Sequence, residues 1–426
     1  MSEYVDAVSV LRRVLQDGRH MDDTLGSGTP LVQQICYGTL RHYFYYDRAI
    51  DLLVEKPLPD KHLDVHLLLL TGLYSIDHLK RPVHASVNHV VGAAPLIKKP
   101  WAKGLINGVL RRYLREKETL ESRILKTAEA KTNHPSWLAE LILDDWPDYS
   151  GILEANNCQA PMTLRVNTSR LTRAEYLAQL ADNNIEARAG RYADCSVILH
   201  EAKPAQALPG FKEGLVSVQD EAPQLAPSFM NLSPGMSVLD ACAAPGGKTC
   251  HILESTPDIK LTAVDRDQKR TVLISENLSR LSLAANVVTE SLEKFNVGDF
   301  DRILLDVPCS ATGIIRRHPD IKLLRHREDI DKLRDVQRVL IHKAFDLLKS
   351  GGELLYSTCS ILRQENDQVI ARFLEMQEGA SLIPVKHPLA DHPDRLLLST
   401  EFGLQFLPTR DDHDGFYYAA LRKEVA

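Results

Sequence analysis

The amino-acid sequence predicts a multidomain chain in three parts. These are an all-α segment over residues 1–140, a small α+β unit over 141–220, and an α/β domain over 221–426 on a mostly parallel sheet. Three observations predict it. At 426 residues the chain exceeds one ordinary domain. Its first third carries helical periodicity and few alternating runs. Its last half alternates apolar strand-like runs with helical patterns, the order that yields a parallel sheet with helices on both faces.

In the first part Val65, Leu68, Leu69, Gly72, Leu73 and Ile76 follow the i, i+3, i+4, i+7 spacing of a helix. The turn signals "KPLPDK" and "KRPVH" punctuate it, and "INGVLRRYLREK" reads as a further helix. In the second part "MTLRVNTS", "SVILH" and "GLVSVQD" read as strands around a helix "TRAEYLAQLADNN". In the third part the strands are "MSVLDA", "KLTAVD", "ANVVT", "DRILLD", "GELLYS" and "GFYYAAL". Between "DRILLD" and "GELLYS", Leu333, Val336, Leu340, Ala344 and Leu347 mark one helix face, which the Gly351-Gly352 pair is expected to end.

Composition excludes several classes. A hydrophobic fraction of 44% with 25% charged residues is ordinary for a globular protein. Seven cysteines, odd in number and with no CxxC pair, argue against a disulfide framework or a structural zinc site, so no metal is expected. No secretory leader and no apolar run of membrane-spanning length is read, and a cytoplasmic monomer is expected. The net charge of -6 gives no global signal for nucleic acid. Locally, the stretch from Lys80 to Arg115, which includes Arg111 and Arg112, carries eight Lys/Arg and no Asp or Glu, as a phosphate-binding face requires.

"DACAAPGGKT" follows a strand and opens a helix, so small residues let the backbone approach a ligand beside a helix N-terminus. A phosphate-binding P-loop needs glycine five residues before the Gly-Lys-Thr, where this chain has Cys242, and the G-x-G-x-x-G fingerprint is absent. Asp265 closes the next strand, where a carboxylate can take both hydroxyls of a ribose. Strand, small-residue turn, helix, strand and acid together suggest S-adenosylmethionine.

Cys309 in "LLDVPCSATG" and Cys359 in "YSTCS" each close a short turn after an apolar strand. A lone cysteine is usually a packing residue. Two at the ends of strands in one sheet point to covalent chemistry. C5 of cytosine is a poor nucleophile, and a thiolate adding to C6 activates it toward an electrophilic methyl group. Asp306, three residues before Cys309, can hydrogen-bond the exocyclic amine or N3. Nothing in the residues alone decides which thiol attacks.

"DACAAPGGKT", "AVDRD", "LLDVPCSATGIIRRHPDIK" and "YSTCS" resemble motifs of the RNA cytosine-5 methyltransferases. "QICYGTLRHYFYYDRAIDLLVEKPL", "LLLTGLYSIDHLKRPVHASVNHVV" and "GLINGVLRRYL" resemble the NusB-like RNA-binding domain that one branch carries. The combination is similar to the bacterial 16S ribosomal RNA cytosine-C5 methyltransferase B family. The resemblance implies a Rossmann-like methyltransferase domain that binds S-adenosylmethionine. It implies cofactor contacts at Cys242, Ala243, Ala244, Pro245, Gly246, Gly247 and Lys248, and at Asp265, Arg270 and Asp306. It further implies Cys359 as nucleophile and Cys309 as the thiol that assists product release. Where the family has an acid facing the adenine amine, this chain has Ser291, with Glu290 beside it.

Arg316, Arg317 and His318 follow the Cys309 turn and are expected to grip RNA phosphates beside the cytosine pocket. Arg165 in "TLRVN" is expected to contact RNA from the middle unit. The implied partner is 16S ribosomal RNA or an early small-subunit intermediate. A non-catalytic RNA-binding scaffold, or the same chemistry on transfer RNA, are the competing readings.

Overall fold

The computed structural model describes residues 2–26, 28–392 and 396–425. The chain forms two compact units, and the division is not linear in sequence. One unit runs up to Cys158 and takes back Ile315–Arg327; the other comprises Gln159–Ile314 and Glu328 onward.

The first unit is helical. Its centre is the helix Leu63–His78, buried over Val65 and over every residue from Leu67 to Ser75. A helix apolar on nearly all sides belongs in the middle of a bundle. Helices Ser2–Asp17, Pro30–Arg41, Tyr43–Leu53, Val83–Ala93 and Lys103–Ile124 bury one stripe each, and their apolar residues share one core.

The segment Ile315–Arg327 is built into this unit by buried polar contacts. Lys322, 1% exposed, donates from Nζ to the carbonyls of Arg41 (2.9 Å) and Asn133 (2.7 Å) and to Asn157 Oδ1 (2.9 Å). Arg41 ends the helix Pro30–Arg41 and Asn133 is the left-handed C-cap of Ala128–Thr132. The Lys322 amine, its pKa pushed well below the ordinary lysine value by burial, thus meets two helix C-termini, where orphan carbonyls carry partial negative charge. Asp320 does the reverse, its Oδ2 accepting from Met21 N (3.2 Å) at the start of the helix Met21–Leu25.

The second unit holds two sheets. Strands β1 (Met162–Val166), β2 (Ala187–Ala189), β3 (Ser196–Leu199) and β4 (Val216–Val218) form an antiparallel sheet in the order β2-β3-β1-β4. The helix Arg173–Asp182 starts in a capping box between Thr172 and Glu175.

Strands β5 (Ser237–Ala241), β6 (Lys260–Asp265), β7 (Asn286–Thr289), β8 (Phe300–Asp306) and β9 (Leu348–Thr358) are parallel, in the order β9-β8-β5-β6-β7. Beyond β9 the sheet turns antiparallel through β10 (Ala380–Ile383), β11 (Leu397–Ser399), β12 (Leu404–Phe406) and β13 (Phe416–Lys423). Val238, Ala263 and Leu304 pack in one apolar cluster while Leu239, Val264 and Leu305 pack in another. Both faces of the parallel sheet are therefore covered, as apolar runs without polar alternation require.

The glycine pair does not stop a helix. The helix Arg327–Asp346 ends earlier, and Gly351-Gly352 lie inside β9, whose register against β8 shifts opposite Phe300–Arg302. The order of strands reverses between β5 and β8, and ligands on such sheets bind outside the carboxyl ends at that switch.

Candidate active site

The site grows from four strand ends. After β5 the chain turns sharply, with Cys242 at φ +61° and Gly246 at φ +94°. Gly246 at that φ, with a Cβ position 3.0 Å from the Cα of Ile274 on the helix Gln268–Leu281, suits glycine alone. The helix Gly247–Ser255 then begins, and Thr249 Oγ1 donates to Asp240 Oδ2 on β5 (2.5 Å), tying the helix to its strand. Burial pushes the Asp240 carboxyl up to about 7.

Asp265, the last residue of β6, faces this turn. Its Oδ2 accepts from Ala244 N and its Oδ1 from Asp267 N, both at 3.0 Å. Arg270 donates to the carbonyl of Ala244 (2.6 Å) and Asn277 to that of Pro245 (3.1 Å). The turn is therefore held from three sides before any ligand arrives.

Asp306 ends β8. Its Oδ2 accepts from Lys248 Nζ (2.6 Å) and its Oδ1 from Ser357 Oγ on β9 (2.9 Å). The Lys248 ammonium also lies 4.8 Å from the centre of the Phe416 ring. Lys248 thus reaches out of the glycine turn to orient the acid of a neighbouring strand.

Cys309 and Cys359 follow β8 and β9, and their sulfurs are 3.4 Å apart. Cys309 is buried and Cys359 half-buried. The contact with Cys359, with burial behind it, pushes the Cys309 thiol well above its ordinary value. Gly313 N donates to the carbonyl of Cys359 (2.9 Å), and Gly415 N to that of Gly313 (2.8 Å). A Cβ on Gly313 would fall 2.3 Å from the carbonyl oxygen of Gly415, so the two turns close only over a bare backbone.

These groups meet in one cavity of about 230 Å³. Cys242, Ala244, Asp265, Arg270, Ser291, Asp306, Cys309 and Cys359 all line it. Ala243, Pro245, Gly246, Gly247 and Lys248 shape the turn without lining the cavity. Glu290 lines it beside Ser291, as do Arg266 and Glu293, which the sequence did not single out, and Val336 and Leu340, which it read only as a helix face. The i, i+3 pair Glu290 and Glu293 was the available signal for a second acid there.

The arginines expected to grip RNA fare differently. Arg165 is 1% exposed, its guanidinium bound to Glu254 (2.9 and 3.0 Å), Gln219 Oε1 (2.6 Å) and the carbonyl of Gly247 (2.7 Å). As it stands it braces the start of the helix after the glycine turn and offers nothing to a phosphate. Arg316 is 0% exposed, and it belongs with Arg317 and His318 to the segment of the helical unit. Arg316 is therefore no surface contact for a phosphate as the chain stands. Arg317 is half-buried, and His318 lies 3.4 Å from Asp22. On the helix Lys103–Ile124, Arg111 is exposed and bonded to Asn107, while Arg112 is half-buried against Glu116 and the carbonyl of Leu53. Among the described residues no group of His, Cys, Asp and Glu could hold a metal, and no helix is long and apolar enough to cross a membrane.

Comparison with known proteins bears on the family and the fold. Residues 227–422 match the family model for 16S rRNA methyltransferase RsmB/F, 134–206 the ferredoxin-like domain of RsmF/B-like methyltransferases, and 6–115 the NusB family. The chain is 44% identical over 402 residues to a probable ribosomal RNA small subunit methyltransferase B of Coxiella burnetii, covering 92% of each. It is 43% identical over 408 residues to the ribosomal RNA small subunit methyltransferase B of Pseudomonas putida, covering 93% of this chain and 91% of that one. The crystal structure of PH0851 superposes with a TM-score of 0.79 at 23% identity, over 98% of this chain and 97% of that one. A methyltransferase homologue from Pyrococcus horikoshii superposes with a TM-score of 0.60 at 28% identity, over 69% and 97%. The architecture is thus a NusB-like helical domain, a ferredoxin-like module and a Rossmann-like methyltransferase domain. The chain belongs to the ribosomal RNA small subunit methyltransferase B family.

Proposed function

We propose that the protein methylates C5 of a cytosine in 16S ribosomal RNA, using S-adenosylmethionine and a transient bond from Cys359 to C6 of the base. One observation carries this reading: two thiols 3.4 Å apart line the same cavity as the carboxylates of Asp265 and Asp306.

The residues present suit an adenosine ligand. Each oxygen of Asp265 already takes one backbone N–H and keeps lone pairs for ribose hydroxyls. The turn Cys242–Lys248 brings bare backbone to the cavity, and Glu290 or Glu293 can accept from an adenine amine. When bound, S-adenosylmethionine supplies a methyl group on a positively charged sulfur.

The protein's own groups account for the rest. Lys248 and Ser357 hold Asp306 with both oxygens accepting, so it is suited to a base that presents a donor amine, as cytosine does and uracil does not. The half-buried Cys359 is the more accessible thiol, and its sulfur lies 3.4 Å from that of Cys309. Cys359 Sγ bonds to C6, and the electron pair of the C5–C6 double bond makes C5 the nucleophile. After C5 gains its methyl, water takes the C5 proton, the C5–H pair re-forms the C5–C6 double bond, and the C6–S bond breaks and returns its pair to Cys359. The Cys309 thiol supports that departing sulfur.

Ribosomal RNA from a strain lacking the gene, incubated with the protein and labelled S-adenosylmethionine, is expected to gain 5-methylcytosine at one position of 16S. Cys359→Ala is expected to transfer no methyl, and Cys309→Ala to accumulate a covalent RNA adduct on denaturing gels. Label on transfer RNA alone, or full transfer by Cys359→Ala, would overturn the reading.

A further inference from the structure

The two cysteine turns leave different strands, yet one side chain grips both. Glu365 is 0% exposed and lies just before the helix Asp367–Met376. Its Oε1 accepts from Ser310 N (2.8 Å) and from Gln337 Nε2 (3.0 Å). Its Oε2 accepts from the hydroxyls of Ser310 (2.5 Å) and Ser360 (2.6 Å). Ser310 and Ser360 are the residues directly after Cys309 and Cys359.

The clamp is itself anchored. Thr312 Oγ1 lies 3.2 Å from Ser310 Oγ and 3.1 Å from Ser360 Oγ, and it accepts from Ile361 N (3.1 Å). The Tyr356 hydroxyl on β9 donates to the backbone carbonyl of Glu365 (2.7 Å). Gln337, from the helix Arg327–Asp346, also donates to the carbonyl of Pro308, the residue before Cys309. A buried carboxylate that receives four donors from three elements holds its neighbours to one arrangement.

We infer that Glu365 is a positioning residue that fixes the spacing and facing of the two thiols. The inference rests on the two-thiol reading above and adds the device that makes it work. Residue types alone would have Glu365 as a helix-start acid, and its nearness to each turn appears only in the fold. Its negative charge is also among the groups that keep Cys309 protonated. Reacting groups displaced by 1 Å can lose about 10²-fold in rate, so a clamp on both turns bears directly on turnover.

The spacing can be read without RNA. Phenylarsine oxide binds two adjacent thiols, forming two As–S bonds and releasing one water, and Cys309→Ala gives the one-thiol background. The full-length wild-type protein is expected to bind it well above that background. Glu365→Ala and, independently, Ser360→Ala are expected to weaken that capture toward the background. In methyl transfer they are expected to lower kcat by about 10²-fold and to leave KM for RNA within about twofold. Glu365→Gln keeps one carbonyl oxygen for Ser310 N and should recover part of both signals. Folded Glu365→Ala with wild-type capture and wild-type kcat overturns the inference. So does a loss confined to thermal stability or to KM. Should Glu365→Ala fail to fold, Ser310→Ala and Ser360→Ala decide it by the same two readouts. The arsenical capture involves no RNA, so it judges the spacing even were the methyl-transfer reading to fail.

Discussion

Arg165 and Lys322 are both about 1% exposed, one in each unit, and they solve the same electrostatic problem differently. Arg165 meets a full opposite charge, its fork lying on the Glu254 carboxylate with two further oxygens around it. Lys322 meets no carboxylate. It meets three neutral oxygens, two of them at helix C-termini. The contrast teaches what each arrangement demands when one member is lost. A buried ion pair leaves an uncompensated charge behind, whereas an amine on carbonyls leaves only unsatisfied acceptors.

Three experiments press on that contrast. Arg165→Met is expected to have the largest effect, destabilising the second unit by about 3–5 kcal/mol because Glu254 remains buried and unpaired. The double variant Arg165→Met with Glu254→Leu should recover most of it in chemical denaturation. Failure of the second change to recover stability would mean the pair is not the source. Lys322→Met keeps the stem and removes the donors, and is expected to cost about 1–3 kcal/mol. A loss matching that of Arg165→Met would erase the distinction drawn here.

His42 tests a third way of enclosing a basic group, as the neutral form. Burial, with His78 stacked 4.6 Å away, pushes His42 down to about 3. The folded chain keeps the ring neutral where the unfolded chain takes up a proton near pH 6.5. That contribution is whole above about pH 6.5 and is lost as pH falls toward 3, at no more than about 1.4 kcal/mol per pH unit. His42→Gln should therefore flatten the acid limb of the helical unit's stability between pH 6 and 4, with little change at pH 7. An unchanged acid limb would assign that loss to other groups.

Much of the catalytic end was legible because strand ends are legible. An apolar run that stops at a polar turn names its own last residue, and Asp265, Asp306, Cys309 and Cys359 all sit at such stops in one cavity. Burial was not legible. Arg165 stands in an alternating run that looked half-exposed, but β1 is covered along nearly its whole length. Arg316, Arg317 and His318 follow the Cys309 turn in sequence and fold with the helices. Sequence neighbours share a covalent bond, not an environment. Glu365 escaped for a related reason. Its partners are spread over Ser310, Gln337 and Ser360, a set no spacing rule collects.

The return of Ile315–Arg327 to the helical unit bears on how separable the parts are. The backbone passes between the units three times, after Cys158, after Ile314 and after Arg327. A gene cut between residues 158 and 159 therefore yields a helical fragment without the lysine that seats its helix ends. The complementary fragment carries Lys322 without the oxygens of Arg41, Asn133 and Asn157 that it binds. Single-junction shuffling cannot graft this helical unit onto another methyltransferase, or remove it from this one, without breaking a core. The helical unit is thus completed by residues encoded more than 150 positions downstream of its own helices.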